Sequence, residues 1–262
     1  KDRMKNRLYL NVKFSLRSQL MDLGLKNKAV LVMASSDGIG KGVAVEFAKE
    51  GANVMLFARR EDKLVEVQKQ IKNLTGKTAS YLTGDITKPT DIEKVVSRTL
   101  SEFGPIYALI NNTGGPPAGT FDKFGDNDWQ SAFELTLLSF IRTIQAVLPS
   151  MKENGGGRIV NITSSSVKVI LDNLILSNTF RMGIVGLTKT LASELGKDNI
   201  LINVLGPGKI LTERVEYLDS IRAEKVKFFY KRFPIYPFFK YFFPCLLARL
   251  TLQANSKIGE VQ

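Results

Sequence analysis

Residues 29–40 read AVLVMASSDGIG, and the next nine, KGVAVEFAK, continue them. The apolar run Ala29 to Met33 has the length and branching of a buried strand, and Val43 to Lys49 has helical character. Between them Ser35, Ser36, Asp37, Gly38, Ile39 and Gly40 form a glycine bend. Glycines let a backbone turn tightly and come close to a ligand, and the free N–H groups and dipole of a helix N-terminus favour anions. Strand, bend and helix in this order predict a βα unit shaped to hold a diphosphate.

Outward from this stretch the pattern repeats. Short β-rich runs recur at Asn53 to Phe57, Ala79 to Thr83, Ile106 to Ile110, Arg158 to Ile162 and Leu201 to Leu205, with helical stretches between them. Two helices are well marked. Trp129, Phe133, Leu137, Phe140, Ile144 and Val147 fall three or four apart, and so do Ile184, Leu187, Leu191 and Leu195. Strands separated by helices at this spacing imply right-handed crossovers and a parallel sheet covered on both faces. The expected fold is a doubly wound, Rossmann-type α/β sheet in a single domain.

Composition narrows the chemistry. The chain of 262 residues holds one cysteine, Cys245, and no histidine, which excludes a disulfide framework, a Cys/His zinc site and histidine-based nucleophile catalysis. No metal site is expected. The net charge of +12 is confined to the ends: residues 1–20 carry six basic residues against Asp2, and residues 221–262 carry eight against Glu224 and Glu260. Residues 21–220 hold 23 positive and 22 negative charges. A near-neutral body argues against nucleic acid as a partner.

Residues 1–20 read either as an upstream extension or as a native basic arm, and they lack the apolar run of a secretory signal. Residues 21–224 form the expected domain. Residues 225–262 are an aromatic, basic tail, with ten of the chain's 24 aromatics between Phe228 and Phe243. A reading-frame accident, a divergent cover over the pocket and an interfacial membrane contact all fit that tail. Apolar stretches are broken before a spanning length accumulates, so no transmembrane helix is expected and the expected compartment is the cytoplasm.

The cofactor follows from the second run. An acid at its end would accept bonds from a free ribose 2′-hydroxyl, but Ala58, Arg59 and Arg60 stand there. Guanidinium forks suit a 2′-phosphate, so NADP(H) is favoured over NAD(H). Asp37, inside the bend, would repel that phosphate if it pointed toward it.

These residues resemble the short-chain dehydrogenase/reductase family, in particular its members similar to 3-oxoacyl-[acyl-carrier-protein] reductase, from about Leu23 to Thr212. ASSDGIG looks like the family's TGxxxGIG, with Met33 and Ala34 where Thr-Gly is usual. Asp85 resembles the acid that holds the adenine. Asn111, Asn112, Thr113 and Gly114 look like the NNAG that lines the adenosine pocket, and Gly206, Pro207, Gly208 and Thr212 like the PG motif and threonine that close on the nicotinamide. The resemblance implies a homodimer or homotetramer built through the two marked helices, and a small keto compound or an acyl thioester as substrate.

Catalytic residues carry over less completely. The family uses Ser, Tyr, Lys and a helix Asn; Ser164 stands at the Ser position, but Ser177 replaces the Tyr, Arg181 the Lys and Thr136 the Asn. A serine hydroxyl is a far weaker and shorter-reaching acid than a phenol; Arg181 keeps a positive charge that could hold the nicotinamide ribose, so it is also an expected cofactor-binding residue, but it cannot relay protons. General acid catalysis is worth roughly 10²- to 10⁴-fold, less than holding two reactants in line. Two readings stay open: an NADP(H)-dependent reductase of a keto group, or a dinucleotide-binding protein without turnover. Lys168 and Tyr217 are candidate replacement donors.

Overall fold

The computed structural model describes the backbone of residues 22–226 and the side chains of residues 22–220. The leader and the aromatic tail beyond residue 226 lie outside the described residues. Six parallel strands form one sheet in the order β3-β2-β1-β4-β5-β6. They are β1 (Ala29–Met33), β2 (Asn53–Ala58), β3 (Ser80–Thr83), β4 (Ile106–Asn111), β5 (Gly157–Ile162) and β6 (Ile200–Leu205). Every strand expected from the sequence is present within a residue or so of its expected ends. The order reverses between β1 and β4, and there the loops leaving the strands part to make a crevice.

Alternation sets the two faces. Val30, Val32, Val54, Leu56, Ala108, Ile110, Val160 and Ile162 point to one side, under α1 (Gly38–Lys49) and α2 (Glu61–Thr75). Leu31, Met33, Met55, Phe57, Leu109, Ile159, Ile200 and Ile202 point to the other. That second face is covered by α3 (Pro89–Phe103), α5 (Ser139–Glu153) and α6 (Ile175–Leu195). Over β1, β2, β4 and β5, where both faces are largely buried, the strands read as mostly apolar runs, which makes the sheet legible from composition; β3 and β6, at the two edges, are only partly buried. The chain ends its described course in α7 (Glu213–Val226), and β6 is the sheet's edge among the described residues.

The first marked helix is not uniform. α4 (Asp126–Phe133) passes through a π turn, Glu134–Leu138, into α5. One extra residue rotates everything after it by about 100°. The stripe expected to run unbroken from Trp129 to Val147 is therefore split. Phe140, Ile144 and Val147 are buried against the sheet, whereas Trp129 and Phe133 meet Phe180 of α6 edge-on and tilted, at 5.8 and 5.9 Å. The buried side of the first half is Ala132 and Thr136 instead. In α6 the expected stripe holds, since Ile184, Leu187, Leu191 and Leu195 all pack onto the sheet.

The span Asp126–Glu153, 28 residues, is long and apolar enough to cross a membrane by length and composition. The expectation that no segment would reach that length is corrected here. The sequence count stopped at each charge, but this helix tolerates Glu134 and Arg142, and it spends Phe140, Ile144, Val147 and Met151 on its own core.

Candidate active site

A polar ladder fixes the carboxyl ends of the central strands. Asn111, at the end of β4, donates to Asn161 Oδ1 on β5 at 3.0 Å, and Asn161 donates to Thr188 on α6 at 2.9 Å. Thr143 of α5 donates to Asn111 Oδ1. All four are buried, so each bond replaces a lost hydration partner and locks α5 and α6 to the sheet at the level of the crevice.

The glycine bend is held from three sides. Ser35 is fully buried: its hydroxyl accepts from Phe57 N–H at 2.9 Å, and its own N–H donates to Phe57 O at 3.1 Å. Expected to touch the cofactor, Ser35 instead has its side chain committed to β2 and positions the loop from beneath. Asn112 donates from Nδ2 to Ala34 O at 3.3 Å, joining the β4 loop to the bend. Asp37 caps α1, its Oδ1 accepting from Gly38 N–H at 2.7 Å.

Two backbone features explain the glycines. Gly38 has φ +52°, and a Cβ on Gly40 would lie 2.2 Å from Ala34 O, so no larger residue fits there. Ala34 itself has φ +48°, a left-handed conformation that strains an alanine.

Around this bend stand the other expected cofactor residues. A Cβ on Gly114 or on Gly208 would meet nothing within 4 Å, and the Thr113 hydroxyl is buried without a partner. Open space, an orphaned hydroxyl and a glycine bend at a helix N-terminus fit a dinucleotide at the point where the strand order reverses. Pro207 O accepts from Ser165 N–H at 2.9 Å, and the Thr212 methyl lies 3.2 Å from where a Gly38 Cβ would be. The PG segment thus spans from the β5 loop to the bend.

The two arginines after β2 differ. Arg60 pairs with Asp37 at 3.4 Å and Glu213 at 3.7 Å. Asp37 therefore does not stand as a bare repulsive charge. Its partial burial opposes ionisation, but the Gly38 N–H and the charges of Arg60 and Lys41 hold its carboxyl below the usual range. Arg59 is exposed and makes no ion pair among the described residues. Burial likewise opposes ionisation of Asp85, yet the N–H and hydroxyl of Thr87, both donating at 2.9 Å, and the nearby Arg59 keep it a carboxylate.

Three of the four expected catalytic residues come together at the end of β5. Ser164 caps a short 3-10 turn, its Oγ accepting from Ser166 N–H at 3.1 Å. From α6, Arg181 donates from Nε to Ser177 Oγ at 3.2 Å and from Nη1 to Ile162 O at 3.3 Å. Arg181 is 6% exposed and has no acidic partner among the described residues; burial, with repulsion from Arg214, pulls its pKa down to about 10. Thr136 lies apart. Its hydroxyl donates to Ala132 O inside the π turn, so it is spent on its own helix. Lys168 is exposed, and Tyr217 is half exposed beneath the Arg214 guanidinium.

The profile of the short chain dehydrogenase family matches residues 28–222. This chain belongs to that family. The 3-oxoacyl-[acyl-carrier-protein] reductase of Chlamydia muridarum is 31% identical over 206 residues, 78% of this chain and 82% of the relative. L-Sorbose reductase from Gluconobacter frateurii, solved with NADPH and L-sorbose, superimposes with a TM-score of 0.73 at 32% identity, covering 79% of this chain and 78% of that one. A 7α-hydroxysteroid dehydrogenase solved with NADH and 7-oxo glycochenodeoxycholic acid gives 0.73 at 30% identity, covering 78% and 79%. These neighbours are oxidoreductases, and this short chain dehydrogenase shares their doubly wound sheet.

One functional candidate escaped the sequence reading. Arg214, two residues past Thr212, reaches back to the loop after β4 and donates to Pro116 O. The signal available was an arginine directly after the PG segment facing Gly115-Pro116, a run with little side chain to oppose it.

Proposed function

We propose that this short chain dehydrogenase is an NADP(H)-dependent reductase of a keto group. The observation that carries the reading is the buried Ser177–Arg181 pair, which Arg181 ties to Ile162 O at the end of β5, two residues before Ser164. When bound, the dinucleotide supplies the hydride. Gly38, Ile39, Gly40 and Ser36 would hold its diphosphate, Asp85, Asn112 and Gly114 its adenosine, and Pro207, Gly208 and Thr212 its nicotinamide end.

The chain's own residues handle the substrate oxygen. Ser164 receives the Ser166 N–H, which leaves its hydroxyl proton free to donate to a carbonyl. Ser177 Oγ accepts from Arg181, so its proton too is free, and the fixed guanidinium stabilises negative charge developing on the oxygen. A hydroxyl is a weaker acid than a phenol, and the expected rate is lower by roughly 10²- to 10⁴-fold than with a full general acid.

Arg59, unpaired among the described residues, supports the preference for a 2′-phosphate; Arg60 shares its charge with Asp37. The outer face bearing Trp129, Phe133 and Phe180 supports a homodimer or homotetramer. The alternative, a dinucleotide-binding protein without turnover, draws support from the spent hydroxyl of Thr136.

Calorimetric titration with NADPH and NADH, then NADPH oxidation over keto compounds including 3-oxoacyl thioesters, tests the reading. NADPH is expected to bind at least about 10-fold tighter, with Arg59→Ala erasing the gap. Tight binding with no oxidation would leave only the non-catalytic alternative.

A further inference from the structure

Arg214 occupies a built position. From the first turn of α7 its Nη2 donates to Pro116 O at 2.5 Å, in the loop after β4. Gly115 makes room for it: a Cβ there would lie 2.8 Å from Nε and 2.9 Å from Nη2. The Tyr217 ring stacks under it, 5.5 Å from Cζ. A guanidinium carries five N–H donors, and only one of these is used by an acceptor among the described residues.

The acids nearby are taken. Glu213 turns to Arg60, and Asp219 to Lys209 at 2.8 Å. No acid among the described residues pairs with Arg214 or with Arg181, although Arg181 is almost fully buried. The two cations repel one another, and the Arg214 charge adds to the desolvation that lowers the pKa of Arg181. Desolvated like charges without a counter-charge are unfavourable, so the site is complementary to one missing anion.

The diphosphate has a cradle of its own at the bend, where the free N–H groups of the α1 N-terminus supply its partners, which leaves the two arginines to another anion. It belongs to the second ligand. The geometry points to a substrate that carries a carboxylate, gripped by Arg214 at the open end of the crevice with its keto carbon beside Ser164 and Ser177. A planar fork already anchored to Pro116 presents parallel N–H groups to a planar carboxylate. This inference rests on the reductase reading and names its substrate class.

The test uses 2-, 3- and 4-oxopentanoate, the methyl ester of each, and a neutral 3-oxoacyl thioester of N-acetylcysteamine, all with the NADPH-saturated protein. Binding is read by calorimetry and turnover by NADPH absorbance. At least one acid is expected to exceed its own ester about 10- to 100-fold in affinity and in kcat/KM. Arg214→Gln keeps an N–H for Pro116 but loses the charge. It should bring that ratio near one by raising KM, with kcat changed less than about 3-fold and NADPH affinity unchanged; Arg214→Lys should recover part of the ratio.

Esters or the thioester binding as well as the acids to the unaltered protein would overturn the proposal. So would an Arg214→Gln protein that loses NADPH rather than the acid. If Arg214→Gln fails to fold, the acid-to-ester ratio of the unaltered protein and the Arg214→Lys result decide. Acid binding without turnover keeps the arginine assignment and removes the reductase reading, whereas turnover of neutral ketones with no acid preference does the reverse.

Discussion

Replacing Arg181 by methionine should make the ligand-free protein more stable. The guanidinium is 6% exposed, lacks an acid among the described residues, and has its pKa lowered from the ordinary arginine value to about 10. A difference of that size corresponds to roughly 3 kcal/mol favouring the unfolded, fully hydrated cation. Against it stand the bonds to Ser177 Oγ and Ile162 O, at 3.2 and 3.3 Å, each contributing about 1 kcal/mol. Methionine fills a similar apolar volume and carries no charge to desolvate, so the net gain is about 1 kcal/mol, or ~2–4 °C in Tm for a domain of this size. The folded-state pKa is the lower of the two, so the penalty is fully present below about 10 and is relieved only as pH rises from there toward the ordinary guanidinium range. The gain should therefore be constant between pH 6 and 9. Differential scanning calorimetry across that range measures it. A ligand-free Arg181→Met protein that melts lower at pH 7, or a gain that varies between pH 6 and 9, would refute the idea that the arginine is held at a cost.

The remaining expectations concern the bend. Gly40→Ala puts a methyl 2.2 Å from Ala34 O; calorimetry should show loss of dinucleotide binding, with stability reduced by about 2 kcal/mol or more. Ala34→Gly relieves a left-handed alanine and should raise stability by about 0.5–1 kcal/mol, read as a higher denaturant midpoint at unchanged slope. Asp37→Asn frees Arg60, so NADPH affinity should rise while NADH affinity stays level in parallel titrations. Because the Asp37 carboxyl sits below its usual 3.8, its stabilisation is present above that value and fades as pH falls through the folded-state pKa; the Asn variant should lose less stability than the unaltered protein on acidification.

The fold was legible because the sheet is dry on both sides. Strands such as Ala29–Met33 need no alternation to announce themselves, and glycines 38 and 40 mark a place where the chain passes close to itself just before a helix. Where periodicity failed, it failed for a local reason: the stripe through Trp129 and Leu137 assumed a helix of constant pitch, and nothing in the residue types of Glu134–Leu138 announces a π turn. The direction of a short polar side chain was equally hidden. Ser35 and Ser36 are identical in sequence, yet Ser35 is buried against Phe57 and Ser36 is not, a distinction set by which backbone lies behind the loop. Arg214 was missed because its partner is a carbonyl 98 positions away, and carbonyl acceptors leave no trace in composition.

The π turn also divides labour along one helix. Residues after it answer to the sheet, and residues before it answer to whatever meets the outer surface of Trp129, Phe133 and Phe180. Because the inserted residue uncouples the two halves, the surface of Trp129, Phe133 and Phe180 can be rewritten by drift without disturbing Phe140, Ile144 or Val147. Surface and interior can thus evolve on separate clocks within a single continuous element.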